Sequence, residues 1–317
     1  MRLSLALSGK RPANEVVEVA RAAESAGLDE LWITEDYFER GAFALAGGVL
    51  AATERLVLGL GVVNPWTRHP VLTAMEAATL CELAPGRVVL GLGASNQRWM
   101  QQQLGIAFDA PLARLEEAVE LVRRAVRGQQ VSSTGYWTVD ASLAVTPCDP
   151  PVVLGVKGPR ALALAGRIAD GVLLSVLSSP AYVRWAREQI GTDPPRGLAS
   201  YVAIDAADAR DEVRARMRRF VAGFLGVHGD HAITRTAGID PRTCAAFRQG
   251  WLEGAPRSDL VTDEILDTVA VCGDDNDVAA GLARLAEAGL DTAVLHDQNR
   301  LPPAVVAAQV VALGRLL

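Results

Sequence analysis

The feature that most constrains the fold of this chain is an alternation of short apolar runs with longer amphipathic runs. A short apolar run bounded by turn residues is typical of a buried strand, and apolar residues spaced three or four apart are typical of a helix. Strands are predicted at 2–7, 31–34, 56–62, 88–92, 152–156, 172–175, 198–204 and 293–296. Helices are predicted at 13–26, 43–53, 70–83, 112–127, 159–168, 181–189, 208–224, 278–288 and 302–316.

This alternation predicts an α/β fold with a parallel sheet, because each strand is followed by a helix. Eight repeats without a long linker favour a closed (β/α)8 TIM barrel, and an open doubly wound sheet is the alternative. We expect residues 1–317 to form one domain. Two segments near 129–146 and 226–268 interrupt the repeat, and such excursions in a barrel commonly shape the site.

Composition excludes several classes of partner. The net charge of −6 and the pI of about 5.4 argue against nucleic acid or an anionic membrane surface. No apolar run is long enough to span a bilayer. Four widely spaced cysteines indicate a reduced, cytoplasmic protein. His228 and His231 have no third ligand nearby in the sequence, so no metal is expected. A small-molecule partner remains.

The common catalytic motifs are absent from the chain. It has no GxSxG, HExxH, Walker or GxGxxG pattern, which removes the usual hydrolase, zinc protease, triphosphatase and Rossmann interpretations. Catalysis by other residues stays open.

A polar and aromatic loop follows the third predicted strand. It reads Asn64-Pro65-Trp66-Thr67-Arg68-His69-Pro70 and leads directly into a helix. Ligands of parallel α/β proteins bind at the carboxyl ends of strands. The loop therefore predicts either a site for a planar anionic ligand or a capped prolyl turn.

Two glycine-containing turns follow later strands. Gly93 and Asn96 come after the fourth strand, where small residues let the backbone approach a ligand and an amide could bond a heterocycle. The run Gly155-Val156-Lys157-Gly158 follows the fifth strand and opens a helix, whose free amides attract phosphate. A plain βα turn is the alternative for each segment, and the second segment is the better phosphate candidate.

Paired acids follow the second strand. Glu35 and Asp36 could orient a substrate or carry out acid–base chemistry, or could belong to a solvated loop.

These segments together resemble the bacterial luciferase-like superfamily of flavin and deazaflavin enzymes. The closest branch is similar to the F420-dependent methylenetetrahydromethanopterin reductase group. The resemblance covers nearly the whole chain, and its specific part is the run Asn64-Pro65-Trp66-Thr67-Arg68-His69-Pro70. Further support comes from 27–34, 78–87, 90–93, 158–162 and 168–172.

The resemblance implies a barrel that binds coenzyme F420, or alternatively FMN, at the carboxyl ends of its strands. It implies a bulge with a non-prolyl cis peptide at Gly61–Val62 against the cofactor ring. It also implies that Thr34, Asn64 and Asn96 lie beside the ring or the ribityl chain. The segment from Gly155 through Val156, Lys157 and Gly158 would hold the cofactor phosphate.

Departures from the reductase pattern bear on the substrate. This chain has Ala6 and Asn96 where those reductases carry acids, and Glu35-Asp36 where they carry Asp-His. We therefore expect a substrate other than methylenetetrahydromethanopterin.

The resulting hypothesis is an F420-dependent oxidoreductase that transfers a hydride to or from an imine, conjugated alkene, carbonyl or alcohol. Glu35 and Asp36 are the predicted proton-handling pair. An FMN-dependent monooxygenase and a non-catalytic flavin-binding barrel are the alternatives. A homodimer is expected, with the helix at 70–83 a candidate for its interface.

Overall fold

The structure is a computed structural model that describes residues 1–207, 209–296 and 302–314. The strands are β1 (Arg2–Leu7), β2 (Glu30–Ile33), β3 (Val57–Val63), β4 (Val88–Gly93), β5 (Val131–Thr134), β6 (Thr138–Ala141), β7 (Val152–Gly155), β8 (Gly171–Leu174), β9 (Leu198–Val202), β10 (Ile204–Ala206), β11 (Val271–Gly273) and β12 (Thr292–His296). The α-helices are α1 (Ala13–Ser25), α2 (Ala42–Ala52), α3 (Pro70–Leu83), α4 (Pro111–Val126), α5 (Pro159–Ile168), α6 (Pro180–Ile190), α7 (Arg210–His228), α8 (Ala232–Thr236), α9 (Pro241–Leu252), α10 (Asp263–Val269), α11 (Asp275–Glu287) and α12 (Pro303–Gly314). The predicted start of α7 at 208 and the predicted end of α12 at 315–316 lie outside the described residues.

Eight of the strands close into a barrel. Their order around it is β1-β12-β9-β8-β7-β4-β3-β2, and every neighbouring pair is parallel. This confirms the predicted TIM barrel over the open sheet. The carboxyl ends of all eight strands consequently meet at one mouth.

The two predicted excursions hold structure of their own. Strands β5 and β6 form an antiparallel hairpin between α4 and β7. Helices α8, α9 and α10 occupy the second excursion, and β10 pairs in parallel with β11. The predicted strand at 198–204 is wrong in its extent, because it breaks after Val202 and Ile204 already belongs to the β10–β11 pair.

Several helices start at prolines. Pro70, Pro111, Pro159, Pro180 and Pro241 each occupy the first turn of a helix. Proline presets the helical φ there and lacks an amide that would have no partner in the first turn. None of the helices in the described part of the chain is both long and apolar enough to cross a membrane.

A large side chain fills the barrel interior. Trp32 points inward and is almost fully buried, and its indole lies across β3. A β-carbon at Gly59 would overlap that ring, and one at Gly61 would lie 2.8 Å from Trp32 Cε3. The glycines of β3 therefore make room for the indole, which forms the floor beneath the barrel mouth.

Candidate functional site

A cavity of about 200 Å³ opens at the mouth of the barrel. It is lined by Thr34, Glu35, Asp36, Tyr37, Gly61, Val62, Asn64, Ser95, Trp99, Ser175, Val176, Tyr201, Phe224 and His296. Barrel enzymes bind their ligands at this end. The cavity brings together six of the predicted site residues, and the remaining six lie outside its lining.

The peptide at Gly61–Val62 is cis, as the resemblance implies. The register of β3 against β4 shifts between Leu60 and Val63, which is the predicted bulge. The Tyr201 hydroxyl donates a hydrogen bond of 2.5 Å to the Gly61 carbonyl oxygen. Gly61 and Val62 thus present their backbone to the cavity, and the hydrogen bond from Tyr201 on β9 fixes its position.

Gly93 and Gly155 leave space for the side chain of Val62. A β-carbon at Gly93 would lie 2.6 Å from Val62 Cγ2, and one at Gly155 would lie 2.8 Å from Val62 Cγ1. A β-carbon at Gly91 would also lie close to this side chain, 3.0 Å from Val62 Cγ1. Neither Gly93 nor Gly155 lines the cavity. The absence of β-carbons at these glycines makes room for Val62 within the barrel.

Glu35 is engaged in an ion pair. Arg68 Nη1 lies 3.3 Å from Glu35 Oε2, Arg68 Nε lies 3.3 Å from Glu76, and the guanidinium lies over Phe43 at 4.8 Å. Arg68 therefore ties the loop after β3 to its neighbours through Glu35. His69 caps α3 by accepting the Val71 amide.

Asp36 has no cationic partner among the described residues. Its Oδ2 accepts a hydrogen bond of 3.1 Å from the Thr34 hydroxyl. Both residues line the cavity next to Tyr37, whose hydroxyl lies 3.1 Å from Thr67 Oγ1. Burial raises the pKa of Tyr37 to about 12, so it stays protonated at neutral pH. Asp36 is the carboxylate of the predicted pair that is available to a ligand.

The two predicted asparagines hold turns. Asn64 Oδ1 accepts the amides of Trp66 and Thr67 at 2.9 and 3.1 Å, while the residue lines the cavity. Asn96 is exposed, and its Oδ1 accepts the amide of Trp99 at 3.0 Å, near the start of the π-helical turn Arg98–Gln103. Its neighbour Ser95 lines the cavity instead, with a buried hydroxyl that has no partner.

The turn before α5 combines open amides with positive charge. Gly158 caps α5 without a side-chain hydrogen bond, and the Tyr182 hydroxyl holds the Lys157 carbonyl at 2.6 Å. Burial and the nearby Arg248 charge lower the pKa of Lys157. Val156 is buried between barrel and helices, so its side chain does not face this turn.

Arg98 and Arg248 add two further positive charges to that of Lys157. The guanidinium groups of Arg98 and Arg248 lie 4.3 and 4.8 Å from the ring of Trp251. Neither these arginines nor Lys157 forms an ion pair with a described acid. We call Lys157, Arg98, Arg248 and Trp251 the cationic cluster. It adjoins the cavity, because Trp99 and Val176 line that cavity and His228 joins Val176 to the cluster.

Sequence reasoning missed Tyr201 and His296. Both point into the barrel mouth because residues of a strand alternate in direction, and Ala199 and Val294 two positions earlier face the interior. That alternation is the signal that could have found them. Desolvation lowers the pKa of His296 to about 4.

Metal binding finds no support in the described residues. Over 1–207, 209–296 and 302–314, no group of three or more His, Cys, Asp or Glu side chains is arranged to hold an ion.

The sequence model of luciferase-like monooxygenases matches residues 1–292. The chain belongs to this family.

Individual proteins show which members of the family this chain resembles. The 5,10-methylenetetrahydromethanopterin reductase of Methanolobus tindarius is 31% identical over 297 residues, covering 88% of this chain and 89% of the relative. The F420-dependent glucose-6-phosphate dehydrogenase of Nakamurella multipartita is 36% identical over 182 residues, covering 53% of each. The solved F420-dependent tetrahydromethanopterin reductase of Methanopyrus kandleri has a TM-score of 0.82 at 22% identity, covering 98% of this chain and 97% of that one. This last likeness concerns the fold alone.

Proposed function

We propose that this chain is an F420-dependent oxidoreductase that transfers a hydride between the deazaflavin and a small organic substrate. Its curated relatives include F420-dependent enzymes, and solved monooxygenases of the same fold align at lower identity. Within the molecule, the proposal is carried by a cavity at Gly61–Val62 that adjoins the cationic cluster. A cofactor that joins an aromatic ring to an anionic chain matches this site, because its ring would enter the cavity and its chain would reach the cationic cluster.

The residues fit such a cofactor. The backbone of Gly61 and Val62 would support the ring, and the orphaned Ser95 hydroxyl would supply a hydrogen bond that the protein leaves unmade. The open amides at Gly158 and the ammonium group of Lys157 would receive the phosphate. Asn64 and Thr34 line the cavity together with Gly61 and Val62, so they would lie beside the ring.

Hydride chemistry is supplied by the cofactor when it is bound. The protein binds both reactants, excludes water through Trp99, Val176 and Phe224, and manages one proton. Asp36 is the carboxylate proposed to assist the proton transfer, because Arg68 neutralises Glu35.

The cationic cluster favours F420 over FMN. Both cofactors carry a ribityl phosphate, for which one cation and the α5 amides would suffice. F420 carries further carboxylates beyond the phosphate, and two additional guanidinium groups without acidic partners complement them. An FMN monooxygenase is the second candidate because the family includes such enzymes.

Cofactor titration tests the proposal. We expect the purified protein to bind oxidised F420, read by quenching of its fluorescence, and to change the deazaflavin absorbance when substrate is added. Tight binding of FMN with no binding of F420 would contradict the proposal, and oxygen consumption with reduced FMN would favour the monooxygenase.

The same titration with Lys157→Gln tests the anionic half of the site. Loss of a charge-assisted hydrogen bond is worth about 1.5–3 kcal/mol, so we expect the dissociation constant for F420 to rise about tenfold or more. Arg167→Gln is the matched control: Arg167 lies at the far end of α5, exposed and paired with Glu116 at 3.3 Å. Equal affinities for both variants would remove Lys157 from the site.

A cytoplasmic homodimer is also proposed. Leu72, Met75 and Leu83 are 49%, 42% and 55% exposed on α3, at spacings that place them along one side of the helix. An exposed apolar stripe of this kind is typical of a contact surface. Sedimentation equilibrium should give a dimeric mass, and a monomeric mass at micromolar concentration would contradict the dimer.

The four cysteines are unpaired, which supports the cytoplasmic location.

A further inference from the structure

His296 ends β12 at the inner rim of the barrel mouth. Its register partner on β1 is Ala6, whose methyl group is too small to fill the mouth beside it. The imidazole therefore reaches the cavity, where it is part of the lining.

The surroundings of His296 are aromatic. Its ring centroid lies 6.2 Å from that of Tyr201, 5.4 Å from Phe220 and 6.4 Å from Phe224. Neither of its ring nitrogens bonds to a described residue, and Nδ1 is fully enclosed. A buried polar group without a partner costs about 1–3 kcal/mol, which a bound ligand can recover.

The other three histidines are all engaged. His69 Nδ1 accepts the Val71 amide, His228 Nε2 meets the Val176 carbonyl, and His231 Nδ1 accepts the Ile233 amide. His296 is thus the histidine whose imidazole is left for a ligand.

Charge in the cavity restricts that ligand. No Lys or Arg is among its lining residues, and the nearby Arg68 is already paired with Glu35. Asp36 contributes a negative charge. Lys10, whose charge acts on His296, is paired with Glu39 at 3.6 Å. A phosphorylated or carboxylated substrate would find no unpaired cation among the described lining residues, which favours an uncharged reacting group.

We propose that His296 is the catalytic base for oxidation of a small uncharged alcohol with apolar substituents. The substrate hydroxyl gives its proton to a ring nitrogen of His296, and the carbinol carbon gives its hydrogen with the bonding pair to oxidised F420. The C–O bond becomes a carbonyl, so a hydride and a proton leave the substrate: oxidised F420 receives the hydride and the imidazole receives the proton. The assignment rests on the proposed F420 dependence.

The charges around His296 suit this role. Its facing groups are Tyr201 from β9, Phe220 and Phe224 from α7, Asp36 after β2 and Lys10 after β1. Desolvation keeps the pKa of His296 near 4, so the imidazole is neutral at pH 7 and able to accept a proton. Asp36 raises that pKa and would stabilise the imidazolium once it forms.

Imidazole NMR tests contact without turnover. The chain has four histidines, so 15N-histidine labelling gives a simple spectrum in which His296→Gln identifies one set of signals. Protein loaded with oxidised F420 is titrated with cyclohexanone, which cannot receive a hydride from the oxidised cofactor. We expect the His296 signals to shift and those of His69 to stay. Unchanged His296 signals at saturating ketone would overturn the assignment.

Kinetics of cyclohexanol oxidation test the proton step. General base catalysis contributes about 10²–10⁴-fold, so His296→Gln should lower kcat at least about a hundredfold with KM little changed. The wild-type rate should fall as pH drops toward the His296 pKa, and the variant should lose that limb. His69→Asn is the control, since asparagine also caps a helix.

Two failures are distinguishable. A protein that does not bind F420 contradicts the proposed function. A protein that binds F420 but neither oxidises cyclohexanol nor responds to cyclohexanone contradicts the role of His296 alone, as does a His296→Gln variant with wild-type kcat and pH profile.

Discussion

Replacing Gly93 by alanine should lower the free energy of unfolding by about 1–3 kcal/mol, the usual cost of overpacking a core. The new β-carbon would lie 2.6 Å from Val62 Cγ2 and 3.2 Å from the Gly155 carbonyl oxygen. Val62 cannot yield freely, because the other side of its isopropyl group lies against Gly155, where even an added β-carbon would come within 2.8 Å of Cγ1. Affinity for F420 should fall as well, since Val62 lines the cavity.

A second substitution separates the contact between Gly93 and Val62 from a general loss of stability. Val62→Ala removes both methyl groups that Gly93 and Gly155 accommodate, so Gly93→Ala should cost much less in that background. The double-mutant cycle should give a coupling energy of about 1 kcal/mol or more, as expected for residues in direct contact. Urea denaturation measures all four proteins.

Gly223→Ala is the control for glycine replacement. Gly223 lies within α7 with open space around its α-carbon, so alanine there should stabilise the helix slightly. Additive effects of Gly93→Ala and Val62→Ala would argue that Gly93 serves some purpose other than holding Val62.

The same glycines illustrate what the sequence can predict. The glycines at the end of β4 predict close approach of a ligand, and the group that the structure shows beside them is Val62. The sequence cannot identify that group, because Val62 is about thirty residues away and enters only through strand pairing. The prediction of direct ligand contact at Gly93 and Gly155 remains untested, and their observed neighbour is a side chain.

The barrel itself followed from local patterns. Apolar periodicity at 2–7, 70–83 and 159–168 predicts the bounds of β1, α3 and α5 as the structure has them. Closure and strand order depend on contacts between distant segments, which periodicity does not contain.

The surroundings of the barrel mouth depend most on contacts that the sequence does not show. Polar loop residues after strands are predicted there, and in the structure Asn96 accepts the Trp99 amide while Glu35 is neutralised by Arg68. Tyr201 and His296 sit inside strands, where a polar residue is easily read as part of an apolar run. Their environment arises from the inward alternation of β9 and β12.

Asp36→Asn should lower kcat for alcohol oxidation by about a hundredfold, within the range for a group that assists proton transfer. Asp36 raises the pKa of His296 through its charge. Removing that charge lowers the pKa further, so the imidazole becomes a weaker base and the imidazolium loses its stabilising neighbour. Steady-state kinetics measure the loss, and the midpoint of His296 titration by NMR should move to lower pH.

Glu35→Gln is the matched comparison, because both acids line the same cavity. Arg68 binds Glu35 and also contacts Glu76, so the glutamine variant should lose stability while keeping kcat within about threefold. The His296 titration should stay in place. A loss of kcat equal to that of Asp36→Asn would instead restore the two acids as a joint proton-handling pair, whereas a wild-type Asp36→Asn enzyme would remove the carboxylate from the mechanism and leave His296 to accept the proton unaided.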